Sequence, residues 1–575
     1  MDSRIRIISI FFWLSFLAII LRLFFWQVIK ARDLQERAKG QYQHQTEVSA
    51  PRGQILADDG SYLAGTTEGW LVYAYKPEVK ESFEKIASSL APFLVSKENE
   101  GESKGNFLSE LKQKIVNLLS NKDINWVALA SRIDSETKKN IEAMNISGIG
   151  FEQQDLRVYP EASSSAHLLG FVGKDENGLD KGYFGLEGYY DSILSGRKGY
   201  ILGQKDALGG IVFSDWLREV GAQEGVDLKT HINKGLQIMV EQKLKEGIEK
   251  YGAKGGTVIV MEPKTGAIKV MASFPSYDPF YYFKYDNSVF KNPAISNSFE
   301  PGSVFKVIVM ASALDAGVVR PETECDICGG PLKIDKYFIN TWNNKYNPNS
   351  TMTQVIVNSD NVGMSFVAFR LGKEKMFDYL NRFGFGKLTG IDLQGEVAPP
   401  LRNRNEWSDV DLATASFGQG IAVTPIQLVK AVGAIANRGI MVKPVVVDKV
   451  LIDGVNKDIK TQSEGRVIGE KAALEITAMM VEAAKNGESK WTYLKGFKVA
   501  GKTGTAQIPI AGHYDPEKTM ASFIGFAPYN DPKFVMLVVL SEPSSSPWAS
   551  ETAAPLWYNI AKDLFLFYGI HPDDK

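Results

Sequence analysis

The chain has 575 residues, with 65 Lys+Arg against 67 Asp+Glu for a formal net charge of −2, and it is 44% hydrophobic and 23% charged. That length accommodates several domains and a large core, and the balance excludes both a disordered chain and a basic nucleic-acid binder. Two cysteines and five histidines exclude a disulfide scaffold and leave little for a metal cluster, so no metal and no cofactor is expected.

Ile7 to Trp26 is apolar except for Ser9, Ser15 and Arg22, about the length of a helix that crosses a bilayer. Arg22 lies near the end of the stretch, where its guanidinium can snorkel to the headgroups. No small-residue cleavage site follows, so the segment reads as an uncleaved anchor over 7–28 behind a short tail, 1–6. The basic residues on both flanks leave its orientation open.

From about 40 to 215, short alternating apolar runs mix with polar helical ones such as Lys80 to Leu90 and Asn106 to Leu119. The charged run Lys97 to Lys104 reads as a solvated loop, and the glycine-rich Gly196 to Gly210 as a hairpin. Leu236, Val240, Leu244 and Ile248 recur every four residues and predict an amphipathic helix. A strand–turn–strand pattern follows over Gly256–Met261, Pro263–Gly266 and Ile268–Ser273, and strands return near Lys498–Gln507, Ser522–Phe526 and Phe534–Leu540. Strands at both ends with helices between predict one α/β (α+β) domain, 225–575, whose sheet joins distant segments.

A serine hydroxyl needs a base to become a nucleophile. No Gly-x-Ser-x-Gly elbow is present, which leaves a lysine three residues on as the candidate base. Ser-x-x-Lys begins at Ser82, Ser109, Ser135, Ser195, Ser288 and Ser303, and the last two share the tetrapeptide Ser-Val-Phe-Lys. After Lys291 come Asn292 and Pro293, which stop a helix. After Lys306 runs an almost wholly apolar segment to Gly317, which predicts a buried, glycine-capped helix. Pro301-Gly302 places Ser303 at the start of that helix, where free N–H groups favour developing negative charge, and burial favours a neutral Lys306. Lys-Thr-Gly occurs at 264–266, where Pro263 predicts a turn, and at 502–504, inside Phe497–Gln507, which reads as a strand edge with small residues that admit a substrate backbone. Between them, Ser359-Asp360-Asn361 has two readings, a helix cap or a Ser-x-Asn motif. The ordered set Ser-x-x-Lys, Ser-x-Asn, Lys-Thr-Gly is far more specific than any member.

With Leu21–Val28, Pro51–Ile55, Gly182–Glu187, Glu300–Lys306, Gly418–Gly420 with Thr424-Pro425, Gly501–Thr505 and Ser522–Pro528, the chain resembles the class B penicillin-binding proteins over nearly its whole length. The resemblance implies a serine transpeptidase/β-lactamase-like domain on a mixed α+β pedestal or dimerisation-type domain (40–215), held by one transmembrane helix in the cell membrane. Residues 1–6 are then a cytoplasmic tail and the catalytic domain is extracytoplasmic. It further implies a D,D-transpeptidase that cross-links peptidoglycan stem peptides and is acylated by β-lactams. Ser303 would attack the donor, Lys306 would be its base, Ser359 would relay the proton and Asn361 would hold Lys306 and the substrate amide. Lys502 would face the substrate carboxylate, Thr503 and Thr505 would hydrogen-bond substrate beside Gly504, and the N–H groups of Ser303 and Thr505 would form the oxyanion hole. Implied partners are a membrane glycan polymerase and cell-wall assembly proteins, in cell division more than in cell shape.

A serine β-lactamase shares the three motifs, yet no Glu-x-x-Leu-Asn lies between Ser359 and Lys502 to supply its deacylating base. A non-enzymatic β-lactam receptor would carry further spans or a cytoplasmic effector domain, and neither is apparent. Cys325-Asp-Ile-Cys328 lacks the second pair that a zinc site needs, and a local disulfide is compatible with a place outside the membrane. His513 reads as a solvated loop residue, and Tyr281, Tyr282, Phe283 and Tyr285 as packing.

Overall fold

The computed structural model describes residues 2–34, 43–48, 50–94, 104–205, 211–212, 218–452, 454–510 and 513–572, in two compact units: Met1–Pro51 with Gly196–Gly225, and Arg52–Ser195 with Val226–Lys575.

In the first unit a helix, Asp2–Phe24, runs on through a π-helical turn, Phe25–Ile29. Ser3–Ile29 is long and apolar enough to cross a membrane, by length and composition. It contains the apolar stretch from Ile7 to Trp26, whose large side chains are exposed all round, as lipid contact requires. Gly199–Lys205 is the middle strand of a small antiparallel sheet, flanked by Gln43–Val48 and Arg218–Val220, with Ile211–Val212 paired to its end. The glycine-rich stretch is thus strand as far as Lys205, and residues 206–210 lie outside the described residues. So does most of the charged run, 97–103; Lys104 opens the helix Lys104–Ser120.

In the second unit, Tyr62–Tyr75 pairs antiparallel with Trp126–Ile133 and with Ile149–Val158. The helices Phe83–Leu94 and Lys104–Ser120 cover that sheet, packing Ile86, Leu90, Ile115 and Leu119 against Val72 and Ala74. Glu187 is fully buried and accepts from Arg52 Nε at 2.6 Å and Arg157 Nε at 2.7 Å, while Arg52 Nη1 reaches Asp191 at 2.7 Å. The strand Asp227–Thr230 lies parallel to Ile55–Leu56 on one side and antiparallel to Val447–Ile452 on the other.

The sheet that carries the site is antiparallel throughout, in the order Ile268–Phe274, Gly255–Met261, Phe534–Ser541, His513–Ala527, Ala500–Ile510. It joins segments more than 200 residues apart, as the strand pattern implied. Both faces are covered, which is why Gly255–Met261 and Phe534–Ser541 read as unbroken apolar runs rather than alternating ones. On one face Val258, Val260 and Met536 meet the amphipathic helix Lys234–Tyr251 and the helix Ala553–Phe567. On the other, Ile259, Met261 and Leu537 pack toward the helix Pro425–Ala436 and share one core with the helices Lys306–Asp315 and Asn361–Leu371.

The aromatic segment after Asp278 packs in part: Tyr282 stacks on Phe171 at 4.4 Å, beside Tyr277 and Phe290, whereas Phe283 and Tyr285 are exposed. Arg132 lies over the rings of Phe280, Tyr282 and Phe283. Cys325 and Cys328 are buried and joined by a disulfide. His513 begins a strand at a hairpin end, paired with Ile510, rather than sitting in a loop; its side chain lies outside the described residues.

Candidate active site

Gly302–Phe305 forms a 3₁₀ turn that leads directly into the helix Lys306–Asp315, so Ser303 sits one turn ahead of the α-helix. Every residue from Val304 to Leu314 is buried, which accounts for the apolar run. Gly302 has φ +54, and its N–H donates to Gly418 O at 3.1 Å. A Cβ there would lie 2.8 Å from Thr505 O, so the turn rides against the strand Ala500–Ile510. A Cβ on Gly504 would likewise fall 2.9 Å from Pro301 O and 2.8 Å from Val304. The small residue at 504 therefore admits the chain's own serine turn, where the sequence suggested a substrate backbone.

Lys306 is wholly buried. Its amine donates to Ser359 O at 2.6 Å, Asn361 Oδ1 at 2.8 Å and Ser359 Oγ at 3.2 Å. Ser303 is not among these partners; spacing brings the two together, three residues apart on one helical turn. Both readings of 359–361 hold at once. Asp360 caps the helix Asn361–Leu371 by accepting from Val362 N and Gly363 N, while its two neighbours face Lys306. Ser359 has φ +53, a left-handed conformation that costs a residue with a Cβ about 1–2 kcal/mol. In that conformation both its carbonyl and its hydroxyl meet one amine.

Lys502 arrives from the sheet. Its amine donates to Ser359 Oγ at 3.1 Å, Thr503 Oγ1 at 3.1 Å and Thr503 O at 3.2 Å. Ser359 Oγ thus stands between two lysine nitrogens. Burial, and then the neighbouring charge of Lys502, lower the Lys306 pKa to about 7, against the weaker pull of Glu488 and Asp360. Burial also lowers the Lys502 pKa, and Glu488 opposes that shift. At about 7, the Lys306 amine sheds its proton near neutrality, while Glu488 works to hold the charge on Lys502.

Glu488 carries no motif signature, and sequence reasoning missed it. It accepts from Thr503 Oγ1 at 2.5 Å and lies 3.8 Å from Lys502 Nζ. Trp342 and Trp548 were also missed. Trp342 donates to Asn358 O at 3.3 Å, and its ring meets Trp548 edge-on at 5.3 Å. Next to Trp548, Ala549 N donates to Thr505 Oγ1 at 3.0 Å, so the pair joins the Ser359 side to the sheet side. Ser522 Oγ holds Gly504 O at 3.2 Å, and Glu300 accepts from Gly420 N at 3.0 Å.

The other copies of the motifs do different work. Ser288 is exposed on a single 3₁₀ turn, Asn287–Val289, and Lys291 is exposed as well. Asn292 and Pro293, expected only to stop a helix, start one: Asn292 caps Pro293–Ser296. The Lys264–Gly266 copy of Lys-Thr-Gly is a turn, with Gly266 at φ +77 and Lys264 paired to Asp531. Among the described residues there is no group of three or more His, Cys, Asp or Glu that could hold a metal.

Residues 256–563 match the family model described as the penicillin binding protein transpeptidase domain, and residues 47–230 that of the penicillin-binding protein dimerisation domain. The chain is 32% identical to stage V sporulation protein D of Bacillus subtilis, over 99% of this chain and 86% of that relative. It is 28% identical to the peptidoglycan D,D-transpeptidase FtsI of Escherichia coli, over 92% and 85%. Among solved structures, penicillin binding protein 2X of Streptococcus thermophilus shares the fold with a TM-score of 0.72 at 24% identity, over 92% of this chain and 81% of that one. Penicillin binding protein 3 of Mycobacterium tuberculosis, complexed with aztreonam, does so at 0.69 and 24%, over 92% and 98%.

Proposed function

The chain belongs to the penicillin-binding protein transpeptidases, and we propose that it cross-links peptidoglycan stem peptides by acyl transfer through Ser303. The observation that carries this is the Lys306 amine, buried and lowered to about 7 at the one place where segments near 303, 359 and 502 converge.

Neutral Lys306 takes the Ser303 proton as the oxygen attacks the carbonyl of the penultimate D-Ala of a donor stem. The N–H groups of Ser303 and Thr505 receive the developing oxyanion. The proton passes from Lys306 through Ser359 Oγ to the departing amine of the terminal D-Ala, and the contact between Lys502 and Ser359 Oγ fixes that hydroxyl's orientation. Lys502, Thr503 and Thr505 engage the donor's carboxylate, and Asn361 holds Lys306 in place. An amine of a neighbouring stem then resolves the ester. β-Lactams enter the same path and stop at the acyl-enzyme.

The helix at the N-terminus is the membrane anchor, with residues 1–6 on the cytoplasmic side and the bulk of the chain outside, where its substrate is. Glycan polymerisation falls to a separate membrane polymerase, and the ending after Lys502, through Gly525–Pro528 and Ala553–Pro555, favours division as the setting. Protease added to intact spheroplasts should digest the catalytic domain; protection reverses the orientation.

The function is tested by intact mass and peptide mapping after penicillin treatment. A single adduct on the Ser303 peptide that lasts many minutes, with turnover of a D-Ala-ended donor when an amine is supplied, is expected. Rapid loss of the adduct with excess hydrolysed penicillin would make the chain a β-lactamase.

A further inference from the structure

The stretch just before the nucleophile is held by an interrupted ladder. Phe299 N donates to Val423 O at 3.0 Å and Val423 N to Phe299 O at 3.0 Å, an antiparallel pair. The next rung of such a ladder falls two residues on, at Pro301 and Ile421, and proline has no N–H to give it. Backbone pairing resumes at Gly302, whose N–H donates to Gly418 O at 3.1 Å. In the gap, the Glu300 carboxylate accepts from Gly420 N at 3.0 Å. The proposed reaction gives Glu300 no role.

What this bond holds follows from what lies on either side of the serine turn. A Cβ on Gly418 would fall 2.2 Å from Gly302 O, so the two segments meet backbone to backbone. On the other side, a Cβ on Gly302 would fall 2.8 Å from Thr505 O. The turn is thus pressed between the loop 418–420 and the strand Ala500–Ile510. The N–H after that of Gly302 belongs to Ser303, one of the two donors assigned to the oxyanion, and Thr505 on the strand carries the other. The distance between these donors is set by how the turn sits on the strand, and the loop behind the turn sets that seat. Gly418 and Gly420 have φ +79 and +74, and a loop with two such glycines is free to shift unless something ties it. Donors aimed at a developing charge have to be held to within about 0.5 Å.

We propose that Glu300 is a positioning residue for the acyl transfer: it fastens the loop 418–420 across the gap left by Pro301 and so fixes the Ser303 N–H against that of Thr505. The inference rests on the transpeptidase reading and adds a residue that acts through the oxyanion donors. What Glu300 contributes is an acceptor at the right reach. An amide oxygen in the same place serves that purpose, and a shorter or absent side chain does not.

The test uses the full-length protein in detergent and two donors that differ in one atom. One is an acyl-D-Ala-D-lactate ester; the other carries sulfur in place of the attacked carbonyl oxygen. Sulfur accepts hydrogen bonds weakly, so the thionoester gains little from the two N–H groups. The quantity read is the single-turnover rate of D-lactate release from the oxoester divided by that from the thionoester. Both rates come from one preparation, so the folded fraction cancels, and general damage to the site slows both donors alike. Glu300→Ala should lower the ratio about tenfold, part of the roughly hundredfold lost with a whole oxyanion donor. Glu300→Asp keeps the charge but withdraws the carboxylate by one methylene; it should lower the ratio too, and it stands in where the alanine variant folds poorly. Glu300→Gln should keep the ratio near that of the wild type. A ratio unchanged in both the alanine and the aspartate variants, or a glutamine variant that falls as far as alanine, overturns the proposal. A wild-type protein that releases no lactate from the oxoester overturns the transpeptidase reading instead, before any variant is made.

Discussion

Ser288-Val-Phe-Lys291 and Ser303-Val-Phe-Lys306 are the same four residues, fifteen positions apart, with opposite surroundings. Lys291 is in water; Lys306 is wholly enclosed, with a second lysine bound to the same serine hydroxyl. On the proposed mechanism, the reactivity of the second copy comes from its enclosure, which penalises the charged amine and leaves a base. Burial alone is not enough, as Glu187 shows. It is as buried as Lys306, but two arginines meet it, and it serves as a strut between them. Lys306 differs in that the strongest charge acting on it is a cation, Lys502, and not a carboxylate.

The largest effect expected from this comparison is on Ser303. Ser303→Ala should reduce penicillin acylation at least about a thousandfold, as loss of a nucleophile does, while Ser288→Ala leaves it intact. An adduct mapped to Ser288 by peptide mass would invert the comparison. Lys306→Arg comes next. It keeps the charge but offers no base, because guanidinium does not deprotonate in proteins. Acylation should fall by about a hundredfold or more, the range for loss of a general base. Stopped-flow acylation that runs at near-normal rate in the folded variant would show that another group takes the proton.

The pH dependence follows in size. With the Lys306 pKa near 7, the free base declines as pH falls, so the acylation rate should drop about tenfold per unit below that value. A profile flat to pH 5 would count against Lys306 as the base. The same shift acts on stability. The unfolded lysine, with its ordinary value of 10.5, holds a proton between pH 7 and 10.5 that the folded site has released. The unfolded chain therefore binds more protons in that window, and stability rises with pH across it. Lys306→Met should flatten that rise in denaturation midpoints taken from pH 7 to 10.

Much of this was legible in the residues. The apolar run after Lys306, its glycine stop and the ordered motifs placed Ser303, Lys306, Ser359, Asn361 and Lys502 before any geometry was known, because each is written in local pattern. The strands Gly255–Met261 and Phe534–Ser541 were legible for the same reason, being apolar on both faces. Glu488 was not, since a carboxylate in Asn486-Gly-Glu-Ser489 has no signature and gains its meaning only when Thr503 arrives on the strand Ala500–Ile510. Trp342 and Trp548 are 206 residues apart, and only the fold makes them a pair. The Asn292-Pro293 dipeptide was read as a stop because proline ends helices, yet it serves equally at the first position of a new one.

That dipeptide gives the smallest expected effect, and it closes the comparison of the twins. Asn292 is 3% exposed; its Oδ1 accepts from Ala294 N at 3.0 Å, and its Nδ2 reaches His167 O at 3.4 Å and Met271 Sδ at 3.2 Å. It ties the end of the inactive copy to the core without approaching either lysine of the site. Asn292→Ala removes a helix cap and leaves His167 O without this donor. An N-cap is worth about 0.5–2 kcal/mol, so the variant should lose stability in that range in urea denaturation. Acylation per folded molecule should stay at the wild-type rate, because nothing that sets the Lys306 environment has moved. A variant of normal stability with slowed acylation would reverse the assignment: the first tetrapeptide would then act on the chemistry of the second, and the two could no longer be read as one reactive and one structural copy.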